Sequence, residues 1–206
     1  MQQNGMSPDM EAYRDKYLKT YVNIGAINIR TENFDEAEIN YTKALTFLED
    51  DDLASYSVIL NNLGISAKEK GNSEKAFDHH KRALEIRLGN DDLYGVCQSY
   101  NNLGATYYVS GEMQKAKLNF EKSLEISLDK GYIPSALISL GYLQMIHEIR
   151  REYKKAFDYL VQATALNDSL MNQEKLRAIS QMEMQDKFDM RVRESRYRQE
   201  KLEAEQ

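Results

Sequence analysis

Leu60-Asn61-Asn62-Leu63-Gly64 returns further along the chain as Tyr100-Asn101-Asn102-Leu103-Gly104, and an earlier copy reads Tyr21-Val22-Asn23-Ile24-Gly25. The three glycines are 39 and 40 residues apart. Twelve residues after each lies an alanine: Ala37, Ala76 and Ala116. Four further on come Tyr41, His80 and Phe120, and three beyond those Ala44, Ala83 and Ser123. Small and large residues recurring together in one register mark an internal repeat. Such a unit cannot bury its apolar face alone and must stack on its neighbours.

A fourth copy keeps the spacing through Leu140, Leu143, Tyr153, Ala156, Leu160 and Ala163, with Gln144 in place of the glycine. Small residues let two helices approach closely, and large ones fill the space between them. Turn-like links, Thr31-Glu32-Asn33, Lys70-Gly71-Asn72 and Ser110-Gly111-Glu112, divide each repeat into two helices. Between repeats lie Glu49-Asp50-Asp51-Asp52, Gly89-Asn90-Asp91-Asp92 and Asp129-Lys130-Gly131, whose Asp and Asn side chains suit helix caps. Ser7-Pro8 reads as an N-cap with proline at the first helical position, and Pro134 opens a helix in the same way. The pattern predicts helices over 8–31, 34–49, 53–70, 73–88, 92–110, 113–129, 133–150 and 153–167.

Composition agrees. Two prolines and ten glycines are too few for the many turns of an all-β fold. Hydrophobic residues at 42% and charged residues at 29% suit a folded, helix-rich chain. The net charge of −6 argues against nucleic acid as a partner, since phosphate binding needs a basic surface. The lone Cys97 cannot form an internal disulfide. No apolar run is long enough to span a bilayer, so no membrane insertion is expected within these residues.

The Leu-Gly, Ala–x3–aromatic and small-residue pattern resembles the tetratricopeptide repeat over roughly residues 10–167. The resemblance implies an all-α solenoid of four helical hairpins, with an array at 8–167. The repeats fall at about 14–50, 53–90, 93–130 and 133–167. They exceed the usual length of about 34 residues. That longer form is typical of the branch found in kinesin light chains, G-protein-coupled spindle regulators and bacterial signalling proteins.

In the family, the first helix of each hairpin lines a concave groove that takes a protein or peptide. The matching positions are Lys19, Val22, Asn23, Ala26 and Arg30 in the first repeat. The second offers Val58, Asn61, Asn62, Ile65 and Lys68. The third offers Gln98, Asn101, Asn102, Ala105 and Tyr108, and the fourth Ile138, Tyr142, Met145 and Glu148. Asparagine is a mediocre helix former, yet it recurs at one repeat position as Asn23, Asn62 and Asn102. A ladder of amides that donate and accept can hold an extended peptide by its backbone. The alternative is that these amides bond neighbouring helices. The chaperone-tail clamp of some relatives is not expected, because its positions hold Val22, Ala26, Asn101 and Ala105, and only Asn62 fits.

Beyond Asn167-Asp168-Ser169 the chain changes character. Residues 172–206 carry eight basic and eight acidic residues without glycine or proline. Pairs such as Glu183/Lys187, Asp189/Arg193 and Glu194/Arg198 sit at i,i+4 with the acid first, which favours a helix. A capping and then projecting charged helix is expected over 168–206, with Leu170, Met171, Leu176, Ile179 and Met182 covering the end of the array. Its best coiled-coil register joins Leu176, Ile179, Met190 and Tyr197, but sets Glu183, Asp186 and Arg193 in the same seam. A homodimer through this helix is the alternative role. The chain stops at Gln206 without a helix-stop signal, so it reads as a piece of a longer protein. Repeats running into a charged helix also resemble the sensor region of bacterial proteins with a histidine-kinase or helix-turn-helix output. That resemblance implies an extracytoplasmic sensor beside a membrane span, and without it the cytoplasm.

No catalytic order, phosphate loop or metal motif is present, so no enzyme, cofactor or metal is expected. His79 and His80 are adjacent rather than spaced i,i+4, and His80 and His147 fall at packing positions. Cys97 is expected as a buried thiol. Asp50-Asp51-Asp52 lacks the spacing of a calcium loop.

Overall fold

A computed structural model describes residues 8–204, with side chains over 13–193. Ser7 and the Glu194/Arg198 side chains therefore lie outside the described residues. Eight helices follow in order: α1 (Pro8–Arg30), α2 (Phe34–Leu45), α3 (Leu53–Glu69), α4 (Ser73–Gly89), α5 (Leu93–Val109), α6 (Met113–Lys130), α7 (Ile133–Ile149) and α8 (Tyr153–Ala204). They pair as hairpins α1–α2, α3–α4 and α5–α6, and α7–α8, where the His147 ring stacks on Tyr159; no strand occurs among the described residues. The chain divides into two compact units, Met1–Leu160 and Val161–Gln206.

The helices start where the capping residues place them. Asp52 accepts from Ser55 N at 3.0 Å, Asn72 from Lys75 N at 3.1 Å and Asp92 from Gly95 N at 2.9 Å. Each satisfies a backbone donor that the first helical turn leaves free. Pro134 stands in the first turn of α7, where its missing N–H costs nothing. The link between the two helices of each hairpin turns on one residue with positive φ: Glu32, Gly71, Gly111 or Arg151.

Inside the first three hairpins a ring faces a glycine. A Cβ at Gly25 would lie 2.7 Å from the Tyr41 ring, one at Gly64 2.5 Å from His80, and one at Gly104 2.9 Å from Phe120. Tyr41, His80 and Phe120 are fully buried, as are Ala37, Ala76 and Ala116. The recurring small–large pairs are thus the interior contacts of the hairpins. In the fourth hairpin Ala156 is buried, but Leu160, at the ring position, is 44% exposed. Gln144 stands there instead of glycine and donates to Glu148 at 3.1 Å. The fully buried Leu140, Leu143 and Ile146 form the interior of α7.

Two boundaries differ from expectation. α2 ends at Leu45 rather than near residue 49. Thr46, Phe47 and Leu48 instead donate back three residues, a tightened last turn. Arg14 of α1 takes the freed carbonyls of Phe47, at 2.8 Å, and Leu48. The Phe47 ring stacks on Tyr17 and Tyr21, with centroids 5.3 and 5.7 Å away.

The second difference is α8, a single helix of 52 residues with no break at Asn167-Asp168-Ser169. Those residues cost a helix only a few tenths of a kcal/mol each, and no glycine or proline stands there to end it. In Val161–Gln206, Met171, Leu176, Ile179 and Met182 are exposed. Gln185 donates to Asp189 at 2.9 Å. No helix of the described residues is long and apolar enough to cross a membrane.

Candidate functional site: an inner groove

Within Met1–Leu160, α1 touches α3, α3 touches α5, and α5 touches α7. The first helices of the four hairpins therefore lie side by side and make one inner face. Two cavities open along it. The first, about 430 Å³, lies between α1 and α3 and is walled by Leu18, Val22, Ala54 and Val58, with Lys19, Asn23 and Asp92 on its margin. The second, about 550 Å³, spans α3, α5 and α7 and is lined by Asn62, Lys68, Gln98, Asn102, Ile138 and Tyr142, among others. Arg87 lines both.

The structure brings most of the sequence-derived groove residues together and separates their roles. Lys19 and Asn23 border the first cavity. Asn61, Asn62, Lys68, Gln98, Asn101, Asn102 and Tyr142 line the second. Tyr108 meets the Tyr142 ring edge-on at 5.5 Å, and Tyr142 lies flat on Phe120 at 4.5 Å, so stacking fixes its ring. Arg30 is exposed and lines neither cavity.

The asparagines divide in two. Asn101 is buried; its amide donates to Ser135 O at 3.0 Å and its oxygen accepts from Ser139 Oγ at 2.7 Å. Asn61 is also buried, and its oxygen accepts from Asn102 Nδ2 at 2.8 Å. These two fasten neighbouring hairpins through those atoms. Asn62 is only half-buried, and its side chain has no hydrogen-bond partner among the described residues. Asn23 is exposed and similarly unbonded. Asn102 lines the second cavity and spends its amide nitrogen on Asn61.

Arg87 is the groove residue that repeat-based reading missed. Its side chain is 3% exposed. Nη1 donates to Gly95 O at 2.9 Å and Ser99 Oγ at 2.8 Å, with Asn61 Oδ1 at 3.4 Å. Burial lowers its pKa, and the carboxylate of Asp92 opposes that shift.

His80, His147 and Cys97 are interior groups. His80 has both ring nitrogens buried without a partner, and desolvation pushes its pKa down to about 3. His147 Nδ1 lies 2.8 Å from Glu152 Oε2, and its ring stacks on Tyr159 at 5.4 Å. Cys97 is buried, and burial raises its pKa. Among the described residues no three His, Cys, Asp or Glu side chains converge as metal ligands would.

Stacked helical hairpins with ring-on-glycine interiors and one continuous inner face define a helical-repeat solenoid. The chain belongs to the tetratricopeptide repeat family, whose pattern matches residues 16–89 and 55–129. No sequence among curated proteins matches it. Solved structures share the fold. BtubC from P. vanneervenii is 22% identical, with a TM-score of 0.66 over 76% of this chain and 65% of that one. Aspartyl phosphate phosphatase F from Bacillus subtilis is 11% identical, with a TM-score of 0.72 over 76% and 42%. The Rap conjugation gene regulator of the plasmid pLS20, in complex with the Phr* peptide, is 18% identical, with a TM-score of 0.66 over 79% and 46%. The chain thus spans less than two thirds of each of these proteins.

Proposed function

We propose that this chain is a peptide-binding module that holds an extended segment along the inner face made by α1, α3, α5 and α7, and that it performs no chemistry. The observation that carries the reading is Asn62, whose unbonded amide stands in a groove also lined by Gln98 and Asn102. Amides that donate and accept suit the backbone of an extended chain. The cavity walled by Leu18, Val22 and Val58 offers an apolar socket beside them. A plasmid regulator with the same fold binds a peptide, which supports the reading. The test is selection from a displayed random peptide library, followed by titration of the best binder. Asn62→Ala should weaken it about tenfold, the worth of one or two hydrogen bonds. Unchanged affinity removes the amide ladder as its basis.

We further place the module in a larger bacterial signal-transduction protein, as its sensory or regulatory part. The 52-residue α8 supports this, since it runs on from the last repeat in sequence without a break. The side of the membrane follows the output: extracytoplasmic beside a membrane span, cytoplasmic otherwise. Hydrogen exchange over 172–204 should change when peptide binds, and identical protection in both states counts against a signalling helix.

A second reading is a dimerising scaffold. It is favoured by Leu176, Ile179 and Met190, which are exposed at spacings close to a coiled-coil seam. Sedimentation of the full chain beside residues 1–170 separates the two, because only the scaffold loses a dimer on truncation.

A further inference from the structure

Arg87 leaves the last turn of α4 and crosses the first turn of α5 at Gly95. A Cβ there would lie 2.7 Å from the arginine Cδ and Nε. The glycine therefore opens the passage through which the guanidinium reaches the groove. Both Nη1 hydrogens are used, on Gly95 O and Ser99 Oγ. Nε is buried with no partner, and Nη2 has none among the described residues. The nearest carboxylate oxygen, Asp92 Oδ2, is 3.9 Å from Nε, beyond hydrogen bonding, and Asp92 is half exposed. The other Asp92 oxygen is already engaged as the cap of α5. A guanidinium removed from water is costly unless it is paired and hydrogen-bonded, so this one is incomplete.

The surrounding charge points the same way. The residues lining the two cavities include the cations Lys19, Lys68 and Arg87 and the single carboxylate Asp92; Lys19 is paired with Asp15 at 2.7 Å and Lys68 with Glu69 at 2.8 Å, which leaves Arg87 as the lining cation without a close carboxylate. Arg87 is shared by both cavities, so the groove continues on either side of it. A chain running through meets it with a side chain rather than with its terminus. A carboxylate matches the arginine fork, whereas a phosphate dianion would face Asp92 as well. We propose that Arg87 is the specificity determinant of the groove, and that it selects peptides carrying an aspartate or glutamate side chain at the position above it. The inference rests on the peptide-binding reading given above.

The full chain is panned against a displayed random decapeptide library, and the best binder is resynthesised in four forms. These are the parent, its internal acid changed to the amide, the acid changed to phosphoserine, and the C-terminal amide of the parent. The expected result is an internal acid in the selected peptides. Its neutralisation should weaken binding about tenfold, while C-terminal amidation has no effect, as for one charge-assisted pair. Arg87→Gln should abolish the difference between acid and amide. Because Arg87 also ties α4 to α5, Lys19→Gln with Lys68→Gln serves as a second variant. It should narrow the acid-over-amide preference about threefold, with the array still folded. Binders without an acid, dependence on the C-terminal carboxylate, or tighter binding of phosphoserine overturns the proposal and leaves the peptide-binding reading standing. A library that yields no binder overturns both.

Discussion

The side-chain amide of Asn102 donates to the oxygen of Asn61 at 2.8 Å, joining α5 to α3, and Arg87 Nη1 approaches the same oxygen at 3.4 Å. Asn61 and Asn62 are neighbours in sequence but differ in task. Asn61→Ala leaves the half-buried Asn102 amide short of its acceptor and should cost about 1–3 kcal/mol in urea unfolding. Asn62→Ala touches no internal bond and should stay within about 0.5 kcal/mol of the parent. Equal losses at the two positions would contradict the division.

His80 should make the array sensitive to acid. Its folded-state pKa is depressed to about 3, against an ordinary value of 6.5, because desolvation disfavours the imidazolium. Below pH 6.5 the unfolded chain binds a proton that the folded chain does not, so stability present above that pH is lost as pH falls toward 3. The slope approaches about 1.4 kcal/mol per pH unit. Denaturant midpoints between pH 7.5 and 4 for the parent and His80→Phe measure it. The phenylalanine variant, which copies Phe120, should lose less, and parallel curves would exclude the histidine as the cause.

Glu32 and Arg151 occupy hairpin turns at φ 60° and 58°, where the equivalent turns hold Gly71 and Gly111. A side chain in that left-handed region costs roughly 1–2 kcal/mol. Glu32→Gly and Arg151→Gly should each raise the melting temperature. Gly71→Ala should lower it although nothing stands within 4 Å of the new Cβ, since the strain is in the backbone alone.

Gly104→Ala places a methyl 2.9 Å from the Phe120 ring. Overpacking of this kind costs about 1–3 kcal/mol. Phe120→Leu in the same chain should recover part of the loss. A double-mutant cycle with no coupling would mean that the two do not share the space.

The fold was legible because its interior repeats. Gly25, Gly64 and Gly104 opposite Tyr41, His80 and Phe120 appear in the sequence as a fixed interval and in the structure as close contacts. Arg87 was not legible, because it does not repeat: the same register holds Leu48 before it and Ser127 after it. A trace exists in Gly95, which stands where the other repeats carry Ser55 and Ser135. The split between Asn61 and Asn62 was hidden for another reason. Adjacent helical residues point about 100° apart, and only the neighbouring helices decide which direction is interior. The continuity of α8 was missed because Asn167, Asp168 and Ser169 suit a turn yet are tolerated within a helix.

The junctions between hairpins are unequal. Asn61 with Asn102, and Arg87 with Gly95 and Ser99, tie the second hairpin to the third, and Asn101 with Ser135 and Ser139 ties the third to the fourth, through directed bonds. Between the first and second, the described polar links are the exposed pairs of Lys70 with Asp35 and Glu38, and a cavity of about 430 Å³ opens beside the contact of α1 with α3. The first junction therefore rests on apolar contact, with Leu18, Tyr41, Ile59 and Leu63 in one buried cluster, where the next two add bonds that fix direction.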